Sequence, residues 1–235
     1  SKHSSMTTEE DLWTLRMGVN QGADIIGMTQ LCHGSKFVHG REAFQKAHPE
    51  YFALWEGKRA TDHKHGQGAP CLSSDGFFHH HVKYARAIFD HYDEPMISID
   101  LVDGFGRGVC NCILCKGKGT TERGWAGLMS DYVLGYLNEV AKEIYKSHPE
   151  KMVSALSYSA YKVPPKTIDT FPPNLALWIC QSRSSFYDPA TRDTYRKRRR
   201  NWLEKLPSKK LFMFEYYTSR PGGAWEGMPK YFPHR

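Results

Sequence analysis

Two acidic residues lie at positions where a carboxyl group could take part in catalysis. Asp103 follows the apolar run 96–102 and precedes a glycine, so a turning loop would leave its carboxylate exposed. Glu215 lies inside an apolar strand sequence, where burial raises the pKa of a carboxyl group and suits it to act as a general acid. The alternative for Glu215 is a buried ion pair with Arg183 or Arg220.

A cysteine cluster follows the first of these acids. Its C-x-C-x-x-C spacing brings three sulfurs within six positions: Cys110, Cys112 and Cys115. Three such sulfurs can share one Zn²⁺, which needs a fourth ligand, with Cys71 the first choice and His33 or His65 the second. Four cysteines would leave no open coordination position, so such a zinc site would be structural. The alternative is free thiols or a local disulfide.

Apolar runs and helical spacing predict the elements that position these residues. The predicted strands are Ala23–Gln30, Met96–Val102, Met152–Tyr158, Leu175–Cys180 and Leu211–Tyr217. The predicted helices are Thr7 to about Val19, Phe77–His91, Leu128–Lys146 and Asp193–Leu206. The stretch from Leu31 to about Ser74 is predicted to be irregular. Apolar strands that alternate with helices indicate a parallel sheet covered on both faces.

Polar and aromatic residues cluster directly after the predicted strands. In a (β/α)8 TIM barrel these carboxyl ends of the strands form the active-site mouth, so the fold class predicted is α/β, of the TIM-barrel type. A closed barrel needs eight strands, and five are visible. Residues 1–235 are therefore predicted to be one domain, an incomplete barrel that is truncated at both ends.

The net charge of +7 raises the question of a polyanionic partner. Much of the excess lies in Tyr195–Lys210, which includes five consecutive basic residues at 196–200. Five adjacent residues point in nearly all directions around a helix, so most of that run should be solvated. A solvated helix face is the preferred interpretation, and nucleic acid is not a predicted partner. The longest apolar runs fall far short of the roughly 20 residues of a membrane span. The polar start of the chain shows no signal peptide.

Two carboxylates that face each other across a barrel mouth are the equipment of glycoside hydrolysis. Counting strands places Asp103 and Glu215 nearly opposite, which makes them the predicted catalytic pair. His33 is a further predicted substrate contact, and Arg183 and Arg220 suit a uronate carboxylate. Aromatic side chains that can stack on sugar rings are Tyr158, Tyr161, Trp178, Tyr216 and Tyr217. The competing hypothesis is a non-catalytic carbohydrate-binding domain.

Several segments together resemble a known family, the domain of unknown function 4838. They are His48–Leu54 with Gly57–Arg59, Cys71–Ser73, Asp103 with the cysteine cluster, Phe214–Tyr217 and Tyr231–His234. The resemblance runs from about Leu12 to the end. That family looks like a relative of the TIM-barrel glycoside hydrolases, especially α-glucuronidases, in bacterial proteins of polysaccharide breakdown. It implies a carbohydrate substrate and a secreted or periplasmic location, with Asp103 ending barrel strand four and Glu215 at strand seven.

Overall fold

The computed structural model describes residues 33–34, 42–59, 68–103, 110–182 and 186–216. Within these residues the helices are α1 (Glu42–Ala47), α2 (Asp75–His91), α3 (Ser130–Ser147) and α4 (Pro189–Lys205). The strands are β1 (Leu54–Trp55), β2 (Lys58–Arg59), β3 (Met96–Ser98), β4 (Met152–Ser157), β5 (Leu175–Ser182) and β6 (Leu211–Tyr216). Short 3₁₀ helices include Pro49–Tyr51, Thr121–Arg123 and Ser159–Tyr161.

Four strands form one parallel sheet in the order β3-β4-β5-β6, which is also their order along the chain. Ser98 pairs with Ser154, and Gln181 pairs with Glu215 at the carboxyl end of the sheet. This arrangement confirms the α/β class and the parallel pairing. The ladder of β3 ends at Ser98, earlier than predicted. The strand predicted at 23–30 and the helix predicted from Thr7 lie outside the described residues.

The two faces of the sheet differ because successive side chains of a strand point to opposite sides. One face packs against the helices, and this main core includes Val153, Leu177 and Met213 from the sheet and Trp202 from α4. The other face carries a smaller cluster of buried residues: Met96, Leu156, Ala176, Trp178 and Cys180. Side chains of β6 also point alternately to the two faces, so only those on one face can lie near the residues that follow β3.

Capping residues set where two helices begin. The hydroxyl of Ser74 accepts a hydrogen bond from the Phe77 N–H at 3.3 Å, so α2 begins at Asp75, two residues before the predicted start. The carboxylate of Asp188 accepts from the N–H groups of residues 190 and 191, so α4 begins at Pro189 instead of Asp193. The starts predicted from apolar spacing fall too late in both helices, because few apolar residues precede the predicted starts.

The basic run on α4 is only partly solvated. Arg196, Lys197 and Arg200 are exposed as predicted, whereas Arg198 and Arg199 are half-buried. Both lie within one turn of the fully buried Trp202, which fixes the inner face of α4. The prediction that most of the run is a solvated face is therefore confirmed, and two of its five residues face inward.

The stretch predicted to be irregular contains local structure. Helix α1 and the antiparallel hairpin β1–β2 lie within it. The hairpin turns at Glu56 and Gly57, which both have positive φ angles, 47° and 77°. Elements of two to six residues are too short for apolar periodicity to reveal, which explains why this part of the prediction was wrong.

Candidate functional site

The four cysteines predicted to form a metal site lie together. The sulfur atoms of Cys71, Cys110, Cys112 and Cys115 are all within 4.8 Å of one another. Cys71 Sγ is 3.5 Å from Cys115 Sγ and 3.8 Å from Cys112 Sγ. Four sulfurs bound tetrahedrally at about 2.3 Å from one zinc ion would be about 3.8 Å apart. The cluster can therefore hold one metal ion, with Cys71 as the fourth member.

Backbone hydrogen bonds bring the cysteine segments together. Cys71 N–H donates to the Tyr51 carbonyl, and Asn111 N–H donates to the Leu54 carbonyl, both at 2.8 Å. The N–H groups of Cys115 and Lys116 both donate to the Cys112 carbonyl at 3.0 Å, which closes a tight turn. Main-chain hydrogen bonds thus hold the segments that carry the sulfur atoms next to one another.

Hydrogen-bond donors surround the sulfurs. Leu54 N–H donates to Cys110 Sγ at 3.1 Å, and the Tyr132 hydroxyl lies 3.1 Å from Cys115 Sγ. The same hydroxyl lies 3.0 Å from Ser73 Oγ. Donors of this kind stabilise metal-bound thiolates and orient them. Tyr132 lies in the predicted helix Leu128–Lys146, but its spacing along the chain does not connect it to the cysteines, because only the docking of α3 brings them together.

The thiols do not ionise alike. Burial raises the pKa of Cys71 and of Cys110, so without a cation both hold their protons at neutral pH. Burial also opposes ionisation of Cys112, but hydrogen bonds from Cys110, Cys115 and nearby backbone N–H groups lower its pKa to about 7. A metal ion would displace the remaining protons, so metal binding should strengthen as the pH rises.

A second constellation lies at the carboxyl end of the sheet. The side chain of Asp103 is 59% exposed, and its Oδ1 accepts a hydrogen bond from the Tyr158 hydroxyl at 3.0 Å. His33 Nε2 lies 4.0 Å from the same oxygen. The structure thus brings together three of the predicted site residues from three separate segments of the chain.

A fourth member of this constellation, Asp100, is missing from the sequence prediction. Its side chain is fully buried, with Oδ1 accepting from the Leu156 N–H at 3.2 Å and Oδ2 lying 3.6 Å from His33 Nδ1. Burial raises the pKa of Asp100 to about 8, although backbone hydrogen bonds oppose the shift. An acid inside the apolar run 96–102 was the available signal, and the argument applied to Glu215 would have found it.

The predicted aromatic contacts divide into packed and site-facing rings. Tyr161 is fully buried, and Trp178 is 7% exposed and stacks on Phe212 at 4.7 Å between ring centroids. These are packing environments. Tyr216 is half-buried on the same face as Trp178. Burial raises the pKa of Tyr216, and the nearby Cys180, Tyr158 and Asp103 raise it further. Tyr216 therefore borders the Asp103 site.

Glu215 is placed differently from Asp103. Its side chain points to the face of the sheet opposite Tyr216. That is the face of Met213, which packs in the core under the helices. Glu215 Oε1 accepts a hydrogen bond from Gln181 Nε2 at 2.6 Å, and Gln181 Oε1 accepts one from Arg199 Nη1 at 3.3 Å. The strands of the two acids lie three positions apart, as predicted, but these contacts connect Glu215 to α4.

The remaining predicted contacts Arg183, Tyr217 and Arg220 lie outside the described residues, as does His65.

A known protein family matches nearly the whole chain. The family model described as Domain of unknown function (DUF4838) matches residues 5–231. The chain belongs to this family. The match spans both constellations of this DUF4838 chain and confirms the family resemblance read from the sequence. No curated protein matches it. Among the described residues, no helix has both the length and the apolar character that crossing a bilayer requires.

Proposed function

We propose that this DUF4838 chain is a glycoside hydrolase of polysaccharides or oligosaccharides and that Asp103 acts on the glycosidic bond. The observation that carries the proposal is an exposed carboxylate at the carboxyl end of a parallel sheet, held by a tyrosine hydroxyl. Reactive groups of α/β folds lie at this end of the strands. His33 lies 4.0 Å from the Asp103 carboxylate and 3.6 Å from the carboxyl group of Asp100, so three groups that can exchange protons lie together here.

The proposal includes a (β/α)8 barrel, of which the sheet would be a part. Parallel strands in sequential order are what a barrel requires. His33 and Gly34 also lie against the end of β3, where the Gly34 N–H meets Ser98 Oγ at 3.4 Å. A chain segment thus approaches β3 directly after the strand predicted at 23–30.

In this chemistry a carboxylic acid protonates the leaving oxygen, and a second carboxylate acts as base or nucleophile. We assign Asp103 to the first role because its exposed side chain can reach a substrate, although the hydrogen bond from Tyr158 favours its ionised form. Glu215 stays the sequence prediction for the second role. The network of Glu215 with Gln181 and Arg199 supports a structural role instead.

That network also favours a second candidate function, a non-catalytic carbohydrate-binding domain. If Glu215 serves only to hold α4 on the sheet, the described residues present one exposed acid, Asp103, beside Tyr158 and Tyr216. Such a site can bind sugar hydroxyl groups without cleaving a bond.

Hydrolysis of a panel of glycans, including uronic-acid-containing ones, separates the two functions. We expect the wild-type chain to release reducing sugar from at least one glycan and Asp103→Asn to lower the rate roughly 10²- to 10⁴-fold. Asp169→Asn, at an exposed acid away from the site, is the matched control and should keep full activity. Glycan binding without turnover by the wild type would replace the hydrolase with the binding domain.

We also propose that the cysteine cluster holds a structural Zn²⁺. Four thiols whose sulfur atoms lie within 4.8 Å of one another, three of them buried, form a donor set typical of structural zinc. The residues fit the ion because the Leu54 N–H donates to Cys110 Sγ and the Tyr132 hydroxyl lies within hydrogen-bond distance of Cys115 Sγ. With all four positions taken by sulfur, the ion would stabilise the fold and would not bind substrate.

Elemental analysis of protein purified without chelator tests this assignment. About one zinc per chain is expected in the wild type and in Cys180→Ser, which alters a buried cysteine outside the cluster. Iron in place of zinc would overturn the choice of metal, and absence of any metal would overturn the site.

A further inference from the structure

The backbone around His33 holds the imidazole in an unusual position. His33 has a φ of 55°, in the left-handed region that residues other than glycine seldom adopt. The next residue, Gly34, is pressed against β3, and a Cβ there would come within 1.9 Å of the Ser98 carbonyl oxygen. Backbone conformations of this kind cluster at functional sites because the surrounding structure must maintain them.

A main-chain contact fixes the protonation pattern of the ring. His33 Nδ1 lies 2.5 Å from the carbonyl oxygen of Leu101. A carbonyl only accepts hydrogen bonds, so Nδ1 carries the hydrogen of the neutral ring. Nε2 is then the nitrogen without a hydrogen in the neutral ring, and it is the nitrogen on the side of Asp103.

We propose that His33 is the proton shuttle of the site. The proposal rests on the proposed hydrolase function. After Asp103 has given its proton to the leaving oxygen, the His33 imidazolium gives the Nε2 proton to Asp103 Oδ1. The N–H bond breaks with its electron pair left on Nε2, and an O–H bond forms on Asp103. Nε2 then takes a proton from a solvent hydronium ion, which becomes water and which carries the proton released when water attacks the sugar.

Distances and exposure support this step. The gap of 4.0 Å from Nε2 to Oδ1 is short enough for the exposed Asp103 side chain to close by rotation, and catalytic contacts often tighten only with substrate bound. The side chain of His33 is 20% exposed, so solvent protons can reach it. At 4.0 Å apart the two groups lie too close to serve opposite faces of a sugar ring, which favours a shared proton over separate acid and base roles.

The buried carboxyl group of Asp100 lies beside the ring. Its Oδ2 makes no hydrogen bond among the described residues and lies 3.6 Å from Nδ1, while Oδ1 is held by the Leu156 N–H. The other titratable groups at this centre are Tyr158, Tyr161, Cys180 and Tyr216.

His33→Asn tests the shuttle in the full chain. Asparagine tolerates positive φ and retains a donor for the Leu101 carbonyl, but it lacks Nε2. We expect turnover to fall about 10²-fold with KM changed less than threefold, and added imidazole to restore much of the loss. Imidazole should not rescue Asp103→Asn, and His79→Asn, at an exposed histidine of α2, should behave as wild type.

The outcomes separate the shuttle from the hydrolase. Wild-type hydrolysis that is abolished by Asp103→Asn but unchanged by His33→Asn would overturn the shuttle and leave the hydrolase standing. Loss of turnover without imidazole rescue would also overturn it, because that is the behaviour of a structural residue. Absence of hydrolysis in the wild type would overturn both. Independently, ¹H–¹⁵N NMR should show the neutral His33 ring protonated at Nδ1, and protonation at Nε2 would contradict the proposal.

Discussion

The cysteine cluster and the Asp103 site are assembled in different ways. Three of the four cysteines lie within six positions, so local chain geometry brings their sulfurs together. The Asp103 site collects His33, Asp100, Tyr158 and Tyr216 from segments that meet only when the sheet forms. Spacing along the chain is thus a strong guide to the first region, whereas the second depends on which face each strand residue occupies.

The acidic groups of the two regions also ionise differently. Buried thiols such as Cys71 hold protons that a metal ion can replace. At the sheet edge, one acid is buried and neutral below about pH 8 while its neighbour Asp103 is open to solvent. We therefore expect variants in the first region to change stability through the metal, and variants in the second to change turnover or the pH dependence of stability.

The largest effect on stability is expected from Cys112→Ser. Losing one of four ligands should remove the metal and lower the free energy of unfolding by several kcal/mol, because metal affinity contributes to folding. Urea unfolding of the metal-loaded protein measures this, with Cys180→Ser as the control. Equal stability of Cys112→Ser and wild type would mean that the cluster is not a structural centre.

The next effect is a pH dependence that belongs to the sheet edge. The folded-state pKa of Asp100 is about 8 and its ordinary value is 3.8, so between these values the folded chain binds a proton that the unfolded chain releases. Stability should therefore fall as the pH rises through this window, by at most about 1.4 kcal/mol per pH unit from this group.

Asp100→Asn should remove that slope and make the protein more stable than wild type near pH 8. Urea unfolding at pH 5, 6, 7 and 8 measures the difference, and Asp169→Asn should keep the wild-type slope. An unchanged slope in Asp100→Asn would show that Asp100 is ionised in the folded chain.

A smaller effect is expected where the Tyr132 hydroxyl approaches the cysteine cluster. Tyr132→Phe removes the donor beside Cys115 and should weaken metal binding about tenfold, as for other groups that support metal ligands. Competition with a chromophoric chelator measures the affinity, and Tyr145→Phe on the exposed side of α3 is the control. Equal affinities would show that the phenol does not support the site.

The smallest effect is expected from Glu215→Gln. This change weakens the hydrogen bond to Gln181 and should cost about 1 kcal/mol of stability while turnover stays within threefold of wild type. Glu204→Gln on the exposed face of α4 is the control. A loss of turnover of 10²-fold or more would instead identify Glu215 as the second carboxylate and join it to the Asp103 site.

The sequence predicted the elements and the cysteine cluster better than the arrangement of the acids. Helix α3 and strands β4 and β6 lie within two residues of their predicted bounds because long apolar runs and strong periodicity define them. Cys71 could be chosen as the fourth ligand because few other cysteines are available. The short hairpin β1–β2 has no such signal.

The arrangement of the acids depends on parity and docking. Glu215 and Tyr216 are neighbours in β6 and therefore point to opposite faces of the sheet. Because residues 211–214 are all apolar, the sequence does not show which of these faces is covered by helices. Asp100 was concealed in the same way, inside a run that reads as a strand. Tyr132 reaches the cysteines only through the packing of α3, which spacing along the chain does not encode.

The division between a metal-bound structural cluster and a separate reactive edge can be tested most directly by native mass spectrometry of the full chain and two variants. Wild type and Asp103→Asn should each carry one zinc ion per chain, and Cys112→Ser should carry none. Metal-free wild type, or zinc retained by Cys112→Ser, would contradict the account.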